Sequence, residues 1–274
     1  MTPLTVSAGA HRQRHNFGET MSADRVVGKE VQLMATCLCD AFFDDVAKAT
    51  VQVLEYLGCA VEFPEGQTCC GQPAFNAGDW PAARKMVRHV AGTFTGGAPI
   101  IVPSGSCAAM LFHGALLAFE HENDVPAVRE LGRRVWEVLD FIVSGLGVKK
   151  WEGECRQKVA FHSSCHLRGS GSAAAAKLLL GSLRGLEWVE HAEPEQCCGF
   201  GGTFSVSFPH VSAGMGRLKL ENIRAAEPDL LVAADMSCLM HLRGLSEKLG
   251  RPLPVKHAVQ VLRDALSAEG KIHG

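Results

Sequence analysis

Two triplets of the sequence, Cys69-Cys70-Gly71 and Cys197-Cys198-Gly199, are the centres of a pattern that occurs twice. Each pair has a cysteine before it and a cysteine after it: Cys37 and Cys107 in the first half, Cys165 and Cys238 in the second. In both halves 31 residues separate the leading cysteine from the pair, and 36 or 39 residues separate the pair from the last cysteine. Eight of the eleven cysteines belong to this pattern, so the chain contains one structural unit twice.

Length and charge exclude several classes of protein. The chain has 274 residues, which suits two domains of ordinary size, and its formal net charge is -2. That charge gives no reason to expect nucleic acid or an anionic membrane as a partner. Residues 1–29 contain no apolar run typical of a signal peptide, and the longest apolar stretches, such as 99–103, are too short to span a bilayer. We therefore expect a cytoplasmic protein without a membrane span.

Short apolar runs alternate with helical patterns along the chain. The predicted strands cover residues 31–35, 60–63, 99–102, 158–161, 188–189 and 230–234. The predicted helices cover residues 43–57, 79–94, 108–119, 125–145, 172–180, 209–226 and 257–268, with a further helix that starts at Cys238. This alternation predicts an α/β fold of two pseudo-symmetric, Rossmann-like domains, each a mostly parallel sheet flanked by helices.

Composition suggests three segments. Residues 1–29 are polar and without periodicity, which predicts a disordered N-terminal tail, with Met21 as an alternative start. The first cysteine-rich domain is expected over residues 30–147 and the second over residues 148–274, because residues 147–157 are charged and contain glycine.

The repeated cysteines are candidate metal ligands. Cys37, Cys107, Cys165 and Cys238 follow predicted strands, where sites form in parallel sheets. Four thiolates in each half can hold an iron–sulfur cluster or a zinc ion. Adjacent cysteines favour the cluster, because their side chains diverge toward different metal atoms. The glycine after each pair is expected to let the backbone approach such a cluster closely. The unmatched Cys39, Cys59 and Cys155 are interpreted as core or bystander residues.

The motifs resemble the cysteine-rich domain found in heterodisulfide reductases and in the iron–sulfur subunits of glycolate oxidase, and most of all the lactate-utilisation branch of that family. The resemblance extends from about residue 31 to the C-terminus. The segments that carry it are Thr36-Cys37-Leu38, Phe63-Pro64-Glu65-Gly66-Gln67, Cys69-Cys70-Gly71-Gln72-Pro73-Ala74, Pro103-Ser104-Gly105-Ser106-Cys107, Cys197-Cys198-Gly199-Phe200-Gly201-Gly202-Thr203-Phe204-Ser205 and Cys238-Leu239-Met240.

The resemblance implies one iron–sulfur cluster in each half, of the 4Fe-4S type. It also implies electron transfer, as an oxidoreductase component, in a system that oxidises L-lactate to pyruvate. The implied partners are a ferredoxin-type iron–sulfur protein and a third lactate-utilisation protein, with a small-molecule substrate at the level of the complex. A thiol–disulfide reductase subunit and a zinc-stabilised scaffold are the alternatives.

Five further residues are candidates around the cysteines. The broader family often ends its pattern with Cys-x-x-Cys, but here Ser104 and Asp235 stand at the earlier position. This favours four thiolates in each half, with Asp235 oxygen as an additional ligand, and leaves zinc open for one half. His162 and His166 flank Cys165 and are candidates for an extra ligand, for proton transfer or for tuning the centre. Arg168 is a candidate for binding a substrate carboxylate.

Overall fold

The computed structural model describes residues 25–272 of the chain. Met21 and most of the predicted tail lie outside the described residues. Arg25 and Val26, the first described residues, contact the first half, and the predicted disordered tail stays a prediction. Arg25 Nη1 donates a hydrogen bond of 2.6 Å to Asp140, and Trp136 Nε1 donates one of 2.8 Å to the carbonyl of Val26.

Two parallel sheets of four strands form the framework of the described part of the chain. The strands are β1 Glu30–Leu33, β2 Ala60–Glu62, β3 Ile100–Val102, β4 Val135–Glu137, β5 Lys158–His162, β6 Glu187–Trp188, β7 Leu230–Ala233 and β8 Val255–His257. The strand order is β2-β1-β3-β4 in one sheet and β6-β5-β7-β8 in the other, with every pairing parallel. The predicted α/β class with two similar halves is therefore confirmed.

Helices connect the strands and cover the sheets. They are α1 Cys37–Phe42, α2 Asp44–Tyr56, α3 Gln72–Asn76, α4 Trp80–Thr93, α5 Gly105–Ala109, α6 Ala115–Ala118, α7 Val125–Arg134, α8 Val138–Asp140, α9 Ser172–Leu180, α10 Thr203–Ser207, α11 Pro209–Arg224, α12 Met236–Lys248 and α13 Ala258–Ala268. Met110–Gly114 and Phe141–Gly145 are π-helical turns, and Cys165–Leu167 is a 3₁₀ turn. In residues 25–272 no helix has the length and apolarity that crossing a bilayer requires.

The last strand of each sheet is absent from the sequence prediction. The sequence predicts a single helix over residues 125–145, but α7 ends at Arg134 and the buried residues of β4 follow it. In the second half, β8 leads directly into α13 in the same way. Both strands have three residues, which is too short for a period of two to stand out beside a strong helical pattern. Pairing with β3 and β7 is what makes these residues strands.

The two halves share one hydrophobic core. Ile101 of β3 and Val232 of β7 both belong to it, together with the apolar faces of α2, α9 and α13. The neighbouring residues Ile100 and Leu231 face two separate cores on the outer sides of the sheets. Alternation along each strand thus divides its side chains between the shared core and an outer core. The boundary near residues 147–157 stays a prediction.

Polar contacts reinforce this junction. Arg263 of α13 donates a hydrogen bond of 2.9 Å to Asp45 of α2, and Gln260 donates one of 2.8 Å to the same carboxylate. The arrangement of the cysteine sites therefore depends on packing between the halves as well as within them.

Candidate metal centre

The repeated cysteines lie where the strand order of each sheet reverses. Cys37 follows β1 and Cys107 follows β3, the two neighbouring strands whose connections leave in opposite directions. Cys165 and Cys238 hold the same places after β5 and β7. A crevice forms at the carboxyl ends of strands at such a switch point, and ligands of doubly wound sheets bind there.

In the first half the four thiols form a continuous chain of contacts. Cys37 Sγ lies 3.9 Å from Cys69 Sγ, and the Cys70 thiol interacts with the thiols of both Cys69 and Cys107. Cys70 and Cys107 are buried, Cys69 is half-buried and Cys37 is exposed. The chain of thiols therefore runs from the surface into the protein.

The second half repeats this arrangement. The thiol of Cys197 interacts with those of Cys165 and Cys198, and Cys198 Sγ lies 3.2 Å from Cys238 Sγ. Cys198 and Cys238 are buried, whereas Cys165 and Cys197 are half-buried. The structure thus brings together all four predicted cysteines of each half in the same order.

Hydrogen bonds between thiols separate their pKa values. The pKa of Cys69 is lowered because the Cys37 thiol donates a hydrogen bond to it, and the same bond raises the pKa of Cys37. Cys197 and Cys165 form the corresponding pair, with the pKa of Cys197 lowered and that of Cys165 raised. Since the thiolate is the form of cysteine that binds metal, each half has at least one thiol whose lowered pKa favours that form.

The glycine after each pair packs closely against a helix. Gly71 and Gly199 have φ angles of 91° and 92°. A Cβ on Gly199 would lie 2.6 Å from the carbonyl oxygen of Ser212 and 2.8 Å from Met215 Cβ, both on α11. The missing side chain therefore makes room for a helix, and the close approach of the backbone to a cluster stays a prediction. Gly71 packs against α4 in the same way, since a Cβ on Gly71 would lie 3.2 Å from the carbonyl oxygen of Ala83.

The substitution Gly199→Ala is expected to destabilise the protein more than Gly66→Ala. Both residues have positive φ, but a Cβ on Gly66 would meet no atom within 4 Å. Strain in the left-handed region is thus common to both variants. The contact with α11 adds about 1–3 kcal/mol to the loss of unfolding free energy, and it does so for Gly199→Ala alone. Chemical denaturation measures the difference in the free energy of unfolding. Equal losses in the two variants would contradict the packing role.

Asp235 joins the two cysteine sites. One carboxylate oxygen accepts a hydrogen bond of 2.7 Å from the backbone N–H of Ser106, next to Cys107 in the first half. The other accepts hydrogen bonds of 3.0 Å and 3.4 Å from the N–H groups of Ser237 and Cys238. Both oxygens of this buried carboxylate are thus used to cap α12 and to hold α5 against it. The prediction that Asp235 oxygen completes a metal centre stays a prediction.

The counterpart of Asp235 has no such role. Ser104 is buried at the start of α5, and its hydroxyl lies 3.4 Å from the hydroxyl of Ser106. Its side chain does not cap α5. These two equivalent positions are therefore asymmetric, because Asp235 supplies a carboxylate and Ser104 does not.

The two predicted histidines differ in their surroundings. His162 is fully buried at the end of β5, and its ligand atoms and those of Cys198 and Cys238 all lie within 4.8 Å of one another. The pKa of Cys238 is lowered to about 6, first by the hydrogen bond from Cys198 and further by the neighbouring His162. His166 is more accessible, with Nδ1 3.6 Å from Cys165 Sγ.

Arg168 is exposed and engaged with its own loop. Its guanidinium donates a hydrogen bond to the carbonyl oxygen of Glu195, and its Nε lies 3.9 Å from the Glu195 carboxylate. This contact holds the segment that leads into Cys197. The role of Arg168 in binding a substrate carboxylate stays a prediction.

Lys219 is a residue of the second site that the sequence reasoning missed. It is fully buried on α11, and its ammonium donates hydrogen bonds of 2.8 Å and 3.0 Å to the carbonyl oxygens of Glu193 and Pro194. Burial lowers the pKa of Lys219 to about 8, although the nearby Cys198 and Cys238 oppose that shift. The sequence signal that could have identified Lys219 is the place of a lysine on the apolar stripe of a helix.

Two more buried residues occupy equivalent places as the last residues of β4 and β8. The Glu137 side chain accepts hydrogen bonds from the N–H groups of Leu139 and Asp140, and burial raises its pKa to about 7. His257 Nδ1 accepts a hydrogen bond of 3.2 Å from Val259 N–H, and burial lowers the pKa of His257 to about 4. These residues were missed because the strands that they end were missed.

This fold, with a chain of four thiols at the switch point of each sheet, defines a protein with two cysteine-rich domains. The cysteine-rich domain family known as CCG matches residues 31–112 and 159–243. Clustered cysteines of this kind indicate metal binding.

Individual relatives indicate the branch of this family to which the chain is similar in sequence. Lactate utilization protein A of Shouchella clausii is 42% identical over 233 residues, which are 85% of this chain and 98% of that protein. Lactate utilization protein A of Geobacillus kaustophilus is 41% identical over 240 residues, which cover 85% of this chain and 98% of that protein. Lactate utilization protein A 1 of Bacillus mycoides is 39% identical over 237 residues, covering 86% and 97%. The chain belongs to the lactate utilization protein A family, and the predicted resemblance is confirmed.

A solved structure supports the fold alone. A hypothetical protein from Helicobacter pylori superposes with a TM-score of 0.60 at 13% sequence identity. The match covers 94% of this chain but spans only 55% of that protein.

Proposed function

We propose that the protein is an iron–sulfur electron-transfer subunit of a multi-protein system that oxidises L-lactate to pyruvate. The observation that carries this proposal is the pair of four-thiol chains at the two switch points. Relatives named for lactate utilization support the pathway.

The side chains present suit a cluster in each half. The ligands would be Cys37, Cys69, Cys70 and Cys107 in the first half, and Cys165, Cys197, Cys198 and Cys238 in the second. The N–H groups of Gly199 and Phe200 lie 3.4 Å and 3.5 Å from the sulfurs of Cys197 and Cys198. Such N–H groups stabilise negative charge on ligand sulfur and so raise the reduction potential of a bound cluster.

Electron counting supports a role for partners. An iron–sulfur cluster passes one electron at a time, whereas oxidation of lactate releases two electrons and two protons. A companion component would accept the electron pair from lactate, and this chain would pass electrons on singly. We propose a ferredoxin-type iron–sulfur protein and a third lactate-utilisation protein as these companions.

Metal content tests the cofactor. Protein purified without oxygen is expected to be brown and to contain iron together with acid-labile sulfide. The ratio of iron and sulfide to protein should correspond to one 4Fe-4S cluster in each half. A colourless protein with stoichiometric zinc would contradict the proposal. It would favour a zinc-stabilised scaffold, for which the group of His162, Cys198 and Cys238 has suitable donors.

Growth tests the substrate. A strain that lacks the gene is expected to lose growth on L-lactate and to retain growth on glycolate. Assay of the purified complex separates the redox alternatives. Reduction of a heterodisulfide by a complex that leaves lactate unchanged would favour a thiol–disulfide reductase instead.

A further inference from the structure

The two cysteine sites differ at one fully buried position. The two halves are offset by 128 residues, so His162, the last residue of β5, is equivalent to Met34, the residue that follows β1. Neither residue has any exposed surface. Because the first half has an apolar methionine here, the fold itself does not require an imidazole at this place.

His162 also has no ordinary hydrogen-bonding role. Among residues 25–272, neither of its buried ring nitrogens has a hydrogen bond of ordinary geometry, and the polar atoms that interact with the ring are the thiols of its own site, Cys238 above all. Other histidines of the second half do have partners. His191 bonds the carbonyl oxygens of Ala192 and Phe161, and His241 Nε2 lies 3.4 Å from the carbonyl oxygen of Ser212. Buried polar atoms in proteins are nearly always satisfied, so two nitrogens without such a bond indicate a missing partner.

The surroundings indicate what that partner is. The ligand atoms of His162, Cys198 and Cys238 lie within 4.8 Å of one another, and the two sulfurs are 3.2 Å apart. One imidazole nitrogen and two thiolates at that spacing can bind the same metal atom. Met34 offers only a weakly binding thioether at the corresponding place of the first site.

We propose that His162 is a ligand of the metal centre of the second half, whereas thiolates alone hold the centre of the first half. This inference rests on the proposed iron–sulfur function. Where the neutral imidazole takes the place of one of the four thiolates at an iron atom, the centre is less negative, and histidine ligands that replace cysteine raise the reduction potential of iron–sulfur centres. The second centre is therefore the better electron acceptor. With both clusters bound, one electron would pass from the first centre to the second, which would oxidise the first and reduce the second.

The matched substitution is His162→Met, which copies the first half into the second. Pulsed EPR of the reduced wild-type protein is expected to show strong coupling of the electron spin to a ligand nitrogen. His162→Met should lose that coupling. His166→Gln, beside Cys165, and His210→Gln, on the exposed start of α11, should both keep it. When histidine is labelled with ¹⁵N, the nitrogen coupling in the wild-type signal should change to that of ¹⁵N, because the coupled nitrogen belongs to a histidine.

Redox titration and metal analysis complete the test. One of the two reduction steps is expected to shift to lower potential in His162→Met, toward the other step, while the other stays in place. Nitrogen coupling that survives in His162→Met would overturn the ligand assignment and leave the proposed function standing, provided that iron and sulfide are present. Normal iron content in a wild-type protein that shows no nitrogen coupling would also overturn the ligand assignment and leave the proposed function standing. Absence of iron from the wild type would overturn both proposals.

Discussion

Replacing Cys70 or Cys198 by alanine is expected to remove the metal centre of one half while the other half keeps its own. Each of these buried thiols links the paired sulfurs of its site to the last cysteine, Cys107 or Cys238. Without that link, the remaining thiols no longer surround one centre. Each single variant should contain about half of the wild-type iron and sulfide per chain, and the double variant should contain none.

Cys59→Ala is the matched control for these variants. Cys59 is buried in the shared core and lies outside both chains of thiols. Its substitution removes the same atoms from a buried place, so it reports the cost of a small cavity without a change of ligand. Wild-type iron content is expected in this variant. Loss of iron from Cys59→Ala, or full iron content in Cys70→Ala, would contradict the assignment of the ligands.

Asp235→Ala is expected to lower the free energy of unfolding by about 3–5 kcal/mol, because a buried carboxylate that satisfies several donors would be lost. The N–H groups of Ser106, Ser237 and Cys238 would be left buried without their acceptor. The contact between α5 and α12 should weaken with them. Chemical denaturation of the metal-free protein measures this loss without a contribution from metal binding.

Ser104→Ala is the control, because Ser104 holds the equivalent place in the first half. Its hydroxyl has only a long contact with Ser106 and does not cap α5. A loss of about 1 kcal/mol or less is therefore expected. If both substitutions cost the same, the link between the halves through Asp235 is not a stabilising one. Asp235→Asn, which keeps the shape and one carbonyl oxygen, should give an intermediate loss.

Much of this protein can be predicted from residue spacing. Strands that end just before Cys37, Cys107, Cys165 and Cys238 place these cysteines at the carboxyl edges of the sheets, whatever the details of packing. The predicted bounds of the buried strands were nearly correct, since short apolar runs bounded by glycine and proline usually form strands. The strands β4 and β8 could not be predicted, because only pairing with a neighbour distinguishes three residues from a helix.

The roles of single residues were harder to predict. Gly71 and Gly199 were recognised from the motif, but the atoms that their missing side chains avoid belong to α4 and α11. Asp235 was recognised as a substitute for a cysteine, but its partner Ser106 lies 129 residues away in the chain. Contacts of this kind depend on how the two sheets pack together and have no local signal.

The amino-acid sequence by itself determines the duplication, the parallel α/β class and the eight cysteines of the two sites, because these follow from period, spacing and order along the chain. The tertiary structure alone decides that the halves share a core, that Asp235 joins the two sites and that His162 faces two thiols. The physical reason is that burial, hydrogen-bond satisfaction and metal-ligand distance are properties of neighbours in space. Alignment of the two halves could point to Met34 and His162 as a difference, but only the packed structure shows that the imidazole has no other partner.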